Sequence, residues 1–290
     1  MKSVVSYPER GIGGNNKYRG NCSPKLIEDL IDQFKVTEIS DYMVGGGTTK
    51  DVAKQKGIKS NVYDLSMGFN LEEDEIKERN QFIFHHPPYW DIVKYSGQMY
   101  GDKPLKEDLS QIQDYYEFIE RLNKCIMKQY YSLTKGGHMA ILMGDIKKRG
   151  KLFSMLLDIV KPGDLVNKVV KMQYNCWSDK VSYSNNNFIP IVHEDLLILK
   201  KPMPYMMDFK WTTTGQVDIR DSKQITWKDL VATVLEKLGK KATLKEIYNE
   251  IEGHKKCMTN SNWEAKVRQT LQLNPLFNSI EKGVWAMNAA

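Results

Sequence analysis

Cysteine is scarce and scattered. Cys22, Cys125, Cys176 and Cys257 are the only four in 290 residues, and no two of them form a CxxC pair. That spacing argues against a zinc framework and fits reduced thiols in a reducing compartment. No stretch approaches the roughly 18 consecutive apolar residues of a membrane span. The opening MKSVVSYPERG has no apolar segment long enough for a secretory leader. A cytoplasmic protein without metal or membrane is the expectation. A strong charge of one sign is also lacking: the net charge of +6 permits a polyanionic partner without demanding one. Residues 221–290 hold eleven Lys and Arg against eight Asp and Glu, so the excess is spread over both halves. Repeats and low-complexity tracts are absent. What remains is 41% hydrophobic and 27% charged, the balance of a globular chain with room for a large domain and a small one.

From Ser23 to about Pro202 helical and strand patterns alternate, which predicts an α/β layered sheet. Ser23-Pro24 reads as a helix start, a capping hydroxyl followed by proline at the first helical position. Leu26, Ile27, Leu30, Ile31 and Phe34 then fall on one face. Strands are predicted at 36–43, 60–63, 81–85, 138–144 and 191–201. A long helix is expected over about Gln111–Leu133, ended by Lys135-Gly136-Gly137. Residues 202–222 have no clean period, and taking 206–222 as a linker divides the chain into 1–205 and 223–290. The second part has three helix starts that resemble capping boxes: Thr226 with Asp229, Thr243 with Glu246, and Ser261 with Glu264. Two short runs, 277–280 and 284–287, flank a Glu-Lys-Gly turn and predict a hairpin. Helix, helix, helix and wing is a winged helix-turn-helix pattern.

Two segments carry chemistry. In Asp41-Tyr-Met-Val-Gly45-Gly46-Gly47-Thr48-Thr49, a strand feeds glycines and then a helix, so backbone can approach a ligand at the carboxyl edge of a sheet. Asp64 follows 23 residues after Asp41, where an acid can accept bonds from ribose hydroxyls. Taken alone, the glycines also suit a flexible turn, and the spacing is generic to nucleotide-binding folds. The second segment, Phe84-His85-His86-Pro87-Pro88-Tyr89-Trp90, comes directly after an apolar strand. Its two prolines remove N–H donors and leave carbonyls to accept. The aromatic ring that follows suits stacking on a flat base.

Together these segments resemble the amino-methyltransferases that modify adenine N6 or cytosine N4 in DNA. The glycine motif of that family commonly reads Asp-Pro-Phe-x-Gly-Ser-Gly-Thr-Thr, and Asp41 to Thr49 align to it without a gap. Its catalytic motif reads Asp, Asn or Ser, then Pro-Pro, then Tyr, Phe or Trp. Gly20-Asn21-Cys22-Ser23-Pro24 is similar to the segment that holds the methionine end of the cofactor, and HEDLLILKK (193–201) to the closing strand. The likeness covers roughly residues 7–202. It implies a doubly wound, mostly parallel seven-stranded Rossmann-like sheet and S-adenosylmethionine as cofactor. It implies that Asn21, Ser23, Asp41, Gly45, Gly47, Thr48, Thr49 and Asp64 bind this cofactor, and that His86, Pro87, Pro88 and Tyr89 are catalytic. One departure stands out: His86 occupies a position usually held by an acid or amide. A neutral imidazole can accept the amino hydrogen bond required there; a protonated one cannot. His85 reads as a packed histidine, and Asp91 as either a helper or a helix cap.

Duplex DNA is the implied partner, with the target base flipped out and stacked on Tyr89. Residues 145–190 are the candidate recognition segment. Lys147, Lys148, Arg149 and Lys151 form a basic turn suited to phosphates, and Trp177 with the amides around it suits base edges. Any one of these also fits a solvated loop. In the C-terminal part, Lys266, Arg268, Gln269 and Gln272 fall on the exposed side of the third helix, where such modules contact DNA. The order of cofactor motif, catalytic motif and variable segment resembles adenine methyltransferases. Cytosine N4 or RNA methylation, and a silent DNA-binding protein of the same fold, are the rival readings. A cognate restriction endonuclease is an admissible partner, and the oligomeric state is left open.

Overall fold

The computed structural model describes residues 1–174, 189–202 and 225–288, together with the backbone of 209–210. The chain divides into two compact units, Met1–Thr213 and Thr214–Ala290. The predicted linker, 206–222, lies almost wholly outside the described residues.

In the first unit the elements run β1 (Val4–Val5), α1 (Pro24–Phe34), β2 (Glu38–Asp41), α2 (Thr48–Gln55), β3 (Lys59–Val62), β4 (Asn80–His85), α3 (Tyr115–Ser132) and β5 (Leu133–Met143). A hairpin of β6 (Ile146–Lys148) and β7 (Lys151–Phe153) follows. Then come the one-turn α4 (Met155–Asp158), β8 (Lys161–Pro162), β9 (Asp164–Met172), β10 (His193–Lys200) and β11 (Phe209–Lys210). Seven strands form one sheet in the order β1-β9-β10-β5-β4-β2-β3. Only β10 runs against its neighbours, β5 and β9; the other pairings are parallel.

Alternation along the central strands builds two core layers. Ile39, Phe82, Phe84, Ala140, Leu142 and Ile198 share a cluster with Leu26 and Leu30 of α1 and Val52 of α2. Their strand neighbours Ile83, Met139, Ile141, Leu197 and Leu199 share another with Phe118, Leu122 and Ile126 of α3. Strands covered on both faces need apolar residues at nearly every position, which is why β5 and β10 read as continuous runs. The result is a doubly wound Rossmann-like sheet. Its strand order reverses at β2, which has β3 on one side and β4 on the other. A crevice opens at such a reversal, outside the carboxyl ends of the two diverging strands. Both chemistry-bearing segments leave the sheet at that point.

The second unit contains α5 (Trp227–Lys237), β12 (Lys241–Thr243), α6 (Leu244–Ile251), α7 (Lys255–Met258), α8 (Trp263–Leu273), β13 (Phe277–Glu281) and β14 (Val284–Met287). Its sheet runs β12-β14-β13, so a third strand joins the expected hairpin. Leu230, Val234, Ile247, Val267 and Leu271 form its core.

Several local expectations change. Capping boxes close at Thr226–Asp229 and Thr243–Glu246. The third helix instead starts after Asn262, with no side-chain cap. Ser23 precedes α1 without capping it; its hydroxyl donates to the Arg10 carbonyl at 2.8 Å. The long helix begins only at Tyr115, because Asp114 accepts the Glu117 N–H. It ends at Ser132, and Gly136-Gly137 lie inside β5 rather than in a turn. There a Cβ on Gly137 would come within 2.9 Å of the Thr134 carbonyl and 3.0 Å of the Gln81 carbonyl, so glycine admits a close backbone approach.

Candidate active site

Asp41 is buried at the end of β2. One carboxylate oxygen accepts the Met43 N–H at 3.0 Å and the other the Thr49 hydroxyl at 2.6 Å, so one side chain ties both ends of the glycine turn. Burial pushes its carboxyl up to about 7 against those two bonds, which favour the charged form. Gly47 leads into α2 with φ of 82°, a left-handed conformation that side chains disfavour. A Cβ there would meet no protein atom, whereas one on Gly45 would lie 2.8 Å from the Tyr18 ring. The turn therefore needs Gly47 for its backbone angle and Gly45, at φ of 49°, for both angle and space. Asp64 accepts the Gly45 N–H at 3.0 Å, and the N–H and hydroxyl of Ser66 at 2.9 and 2.6 Å. The expected ribose acceptor is thus also a strut of the turn.

Residues 14–21 strap this turn from outside. The Asn15 N–H donates to the Gly46 carbonyl at 2.7 Å, and the Gly14 N–H to Asp51 at 2.8 Å. The Asn21 amide donates to the Asn15 carbonyl at 2.7 Å and accepts the Thr48 hydroxyl. Tyr18 stacks on Tyr95 with ring centres 5.5 Å apart. Asn21, Asp41, Gly45, Thr48, Thr49 and Asp64 all line one cleft, together with Tyr18, Phe69, Tyr95, Asp108 and His86. Of the predicted cofactor residues, Gly47 shapes the turn without lining that cleft. Ser23 lies on a second cleft instead.

His86 and Pro88 line the first cleft, Tyr89 lines the second, and Gly20, Asn21 and Cys22 line both. The 86–89 segment stands where the two meet, with Pro87 buried and lining neither cleft. His86 Nε2 is 3.0 Å from the Tyr89 hydroxyl, which donates to Glu194 at 2.7 Å; the other Glu194 oxygen receives Lys171 at 2.6 Å. Burial lowers His86 to about 4, so its imidazole is neutral at physiological pH. Burial opposes ionisation of Glu194, but Lys171, His86 and the bonds from Lys171 and Tyr89 outweigh it and hold the carboxyl below its ordinary range. No described residue is a partner for His86 Nδ1. His85 is fully buried. Its Nδ1 meets the Gln129 amide at 3.1 Å, and its Nε2 has no partner among the described residues. Trp90, next in sequence to Tyr89, adopts φ of 47° and is locked by a 3.1 Å bond from its indole N–H to the Ile112 carbonyl. Left-handed backbone at a bulky residue is held only where packing over-determines it.

The second cleft is lined by Arg10, Arg19, Lys147, Lys148, Lys171 and His193, among others. The predicted basic turn is the β6–β7 hairpin. Lys148 is engaged there: it pairs with Asp91 at 2.5 Å and lies 4.1 Å from the Trp90 ring centre. Asp91 is therefore the counter-ion of Lys148, and no helix starts at it. Lys147 donates to the Ile189 carbonyl at 2.6 Å, and Lys151 lies over Phe153 at 4.9 Å. Arg149 is exposed at the tip with φ of 51°. Trp177 lies outside the described residues. In the second unit Lys266, Arg268, Gln269 and Gln272 are exposed on α8 as expected, with Arg268 bonded to the Tyr248 hydroxyl at 2.8 Å.

Tyr18, Tyr95, Lys171 and Glu194 were not singled out from sequence. A signal existed for Glu194: an acid on a strand buried on both faces must be paired.

No protein-family model matches the chain, and no curated relative matches it. Among solved structures, TTHA0409 of Thermus thermophilus, assigned as a DNA modification methylase and complexed with S-adenosyl-L-methionine, is 17% identical. That match covers 67% of this chain and 64% of that one, with a TM-score of 0.31. TrmN, also of Thermus thermophilus, is 15% identical over 63% of this chain and 50% of its own, at 0.34. A SAM-dependent methyltransferase of Archaeoglobus fulgidus is 12% identical over 64% and 96%, at 0.31. This chain spans less than two thirds of either Thermus chain. At these scores the likeness decides nothing about chemistry.

Proposed function

We propose that this chain transfers a methyl group from S-adenosylmethionine to an amino nitrogen of a base in duplex DNA, adenine N6 in the first place. The observation that carries the reading is His86: a neutral imidazole, its Nδ1 without a partner among the described residues, placed where two clefts meet. The first cleft fits the cofactor. Its glycine turn has an open inner side at Gly47, Asp64 stands at the end of the neighbouring strand, and Tyr18, Phe69 and Tyr95 add flat apolar surface. Asp41, Gly45, Thr48, Thr49, Asn21 and Asp64 would hold it. When bound, the cofactor supplies an electrophilic methyl group.

The chain's own residues orient the acceptor nitrogen and hold its hydrogens. His86 accepts a hydrogen bond from one amino hydrogen, and the carbonyl of Pro87, in a stretch without N–H donors, is the natural second acceptor. Together they draw the nitrogen lone pair out of conjugation, and holding both ligands in place makes the reaction effectively unimolecular. The proton that the amino nitrogen must lose on methylation passes to the acceptor nitrogen of His86. Tyr89 offers its ring to the base from the second cleft, where Arg10 and Arg19 suit the flanking phosphates. The order of the second unit, helix, strand, three further helices and a hairpin, supports a winged helix that adds DNA affinity through α8. A chain ending at residue 213 should keep cofactor binding and lose DNA affinity.

The test is transfer of labelled methyl groups to duplex DNA, followed by nucleoside chromatography. Labelled N6-methyladenine is expected. N4-methylcytosine would move the target base, and label on RNA alone would overturn the DNA assignment. Cofactor binding with no transfer to either would favour the silent DNA-binding rival.

A further inference from the structure

His86 differs from an acid or amide in one respect that matters here. An imidazole has two nitrogens, and only the one without hydrogen can accept. A neutral histidine free to exchange its proton would present the wrong nitrogen part of the time. The described residues contain a device that removes this freedom. Lys171 and Glu194 form an ion pair at 2.6 Å with both side chains almost fully buried, at 10% and 8% exposed. An ionised carboxylate only accepts, so the Tyr89 hydroxyl, 2.7 Å away, must give its one proton to Glu194. The phenol oxygen is then left to accept, and the atom 3.0 Å from it is His86 Nε2. That nitrogen must carry the hydrogen, and the lone pair falls on Nδ1.

From this geometry we propose that Glu194, held ionised by Lys171, is a positioning residue that fixes His86 in the Nε2–H tautomer through the Tyr89 hydroxyl. The inference rests on the reading of His86 as amino-group acceptor, and it adds why that acceptor is single-sided. Each link is needed. The ammonium keeps Glu194 charged where burial would protonate it, the carboxylate orients the phenol, and the phenol reads out on the imidazole. Nothing in this relay touches the reacting atoms except at its last member. A buried ion pair of this kind contributes little net stability against an apolar replacement, which suits an orienting role better than a structural one.

Nitrogen-15 NMR of histidine-labelled protein tests the relay without any substrate. The full chain should show His86 as a neutral ring with hydrogen on Nε2. Glu194→Gln allows the amide to donate to the phenol oxygen and turns the Tyr89 hydroxyl toward His86. The Nδ1–H form should then become comparable or dominant, and single-turnover transfer should fall at least tenfold while cofactor affinity stays within twofold. Tyr89→Phe removes only the hydroxyl and should also mix the tautomers; it serves if the Glu194 variant fails to fold. Glu194→Asp, which keeps the charge, should restore part of the Nε2–H signal. A wild-type spectrum with Nδ1–H, or unchanged tautomers in both Glu194→Gln and Tyr89→Phe, overturns the inference. An Nε2–H spectrum that responds to both variants, in a protein that methylates nothing, would leave the relay standing and remove the methyltransferase reading instead.

Discussion

Acidification distinguishes a desolvated His86 from an exposed one. An ordinary histidine, with a pKa of about 6.5, is only about 9% neutral at pH ~5.5. His86, lowered by burial to about 4, is still about 97% neutral at that pH by the same relation. If the neutral ring is the acceptor, single-turnover transfer at saturating cofactor should be nearly flat from about pH 8 to about pH 5.5, where an unshifted residue would lose roughly tenfold. His86→Ala should be slow throughout. His86→Asn, which has an acceptor that does not titrate, should be partly active with the same flat profile. The folded state sets the lower limit of the assay. His85 and His86, lowered to about 3 and about 4, refuse protons that the unfolded chain takes up below about 6.5, so their contribution to stability is complete above that pH and is lost as the pH falls toward 4. Circular dichroism at each pH is the control that reports whether the fold is intact. A tenfold fall in transfer centred near pH 6.5, with circular dichroism unchanged, would refute the placement of His86 in a desolvated site. A fully active His86→Ala would refute its role altogether.

Three other outcomes are expected. Asp41, raised by burial to about 7, contributes stability that is complete below its unfolded value of about 3.9 and is lost as the pH rises through 7; the thermal midpoint of Asp41→Asn should therefore gain on wild type between about pH 5 and pH 8.5, and a constant gap would show that the carboxyl is not raised. Gly47→Ala should cost about 1–2 kcal/mol from its left-handed φ, whereas Gly45→Ala must also displace the Tyr18 ring, so calorimetric cofactor affinity should fall further in Gly45→Ala. Arg149→Ala should reduce DNA affinity and the salt slope by about one unit without moving the melting temperature, while Lys148→Ala, which frees Asp91 and uncovers Trp90, should lower the melting temperature as well; equal melting temperatures would contradict the pairing.

The sheet was legible because its signals are local. Apolar runs of strand length, a proline at the start of a helix and glycines after a strand each constrain the backbone where they stand. The candidate site was legible to the extent that its parts are contiguous, as in 41–49 and 86–89. Elsewhere sequence distance hid the contacts. Tyr18 reaches Gly45 and Tyr95 only once β2 and the loop after β4 are in place. Lys148 looks like a phosphate ligand in a basic run, yet its ammonium is drawn to Asp91 and the face of Trp90. Ser23 has the residue type and position of a cap, but the carbonyl of Arg10 competes successfully for its hydroxyl. In the second unit two of the three capping boxes close because Thr226 and Thr243 stand at the N-cap of their helices, and the third fails because α8 starts one residue later, after Asn262.

The strand at the edge of the sheet has a consequence for access. β1 is joined to β9 at only two register pairs, Val4 with Val170 and Val5 with Lys171, and the segment that follows it supplies Tyr7, Pro8 and Arg10 to the second cleft. Apart from those pairs, this segment is fastened by the Tyr7 bond to Asp29 at 2.5 Å, by the Ser23 hydroxyl on the Arg10 carbonyl, by a bond between the Ser6 and Tyr174 hydroxyls and by the exposed Glu9–Lys25 pair at 3.7 Å. The opposite side of the same cleft, at Glu194 and Gly144, is built on β10 and the end of β5 in the middle of the sheet. The two walls therefore differ in the work needed to part them. Local opening begins where buried apolar contacts are few, so a bulky substrate would find its entrance on the N-terminal side, with the glycine turn and His86 undisturbed. Amide hydrogen exchange at Val5 should accordingly run ahead of exchange in β5 by orders of magnitude.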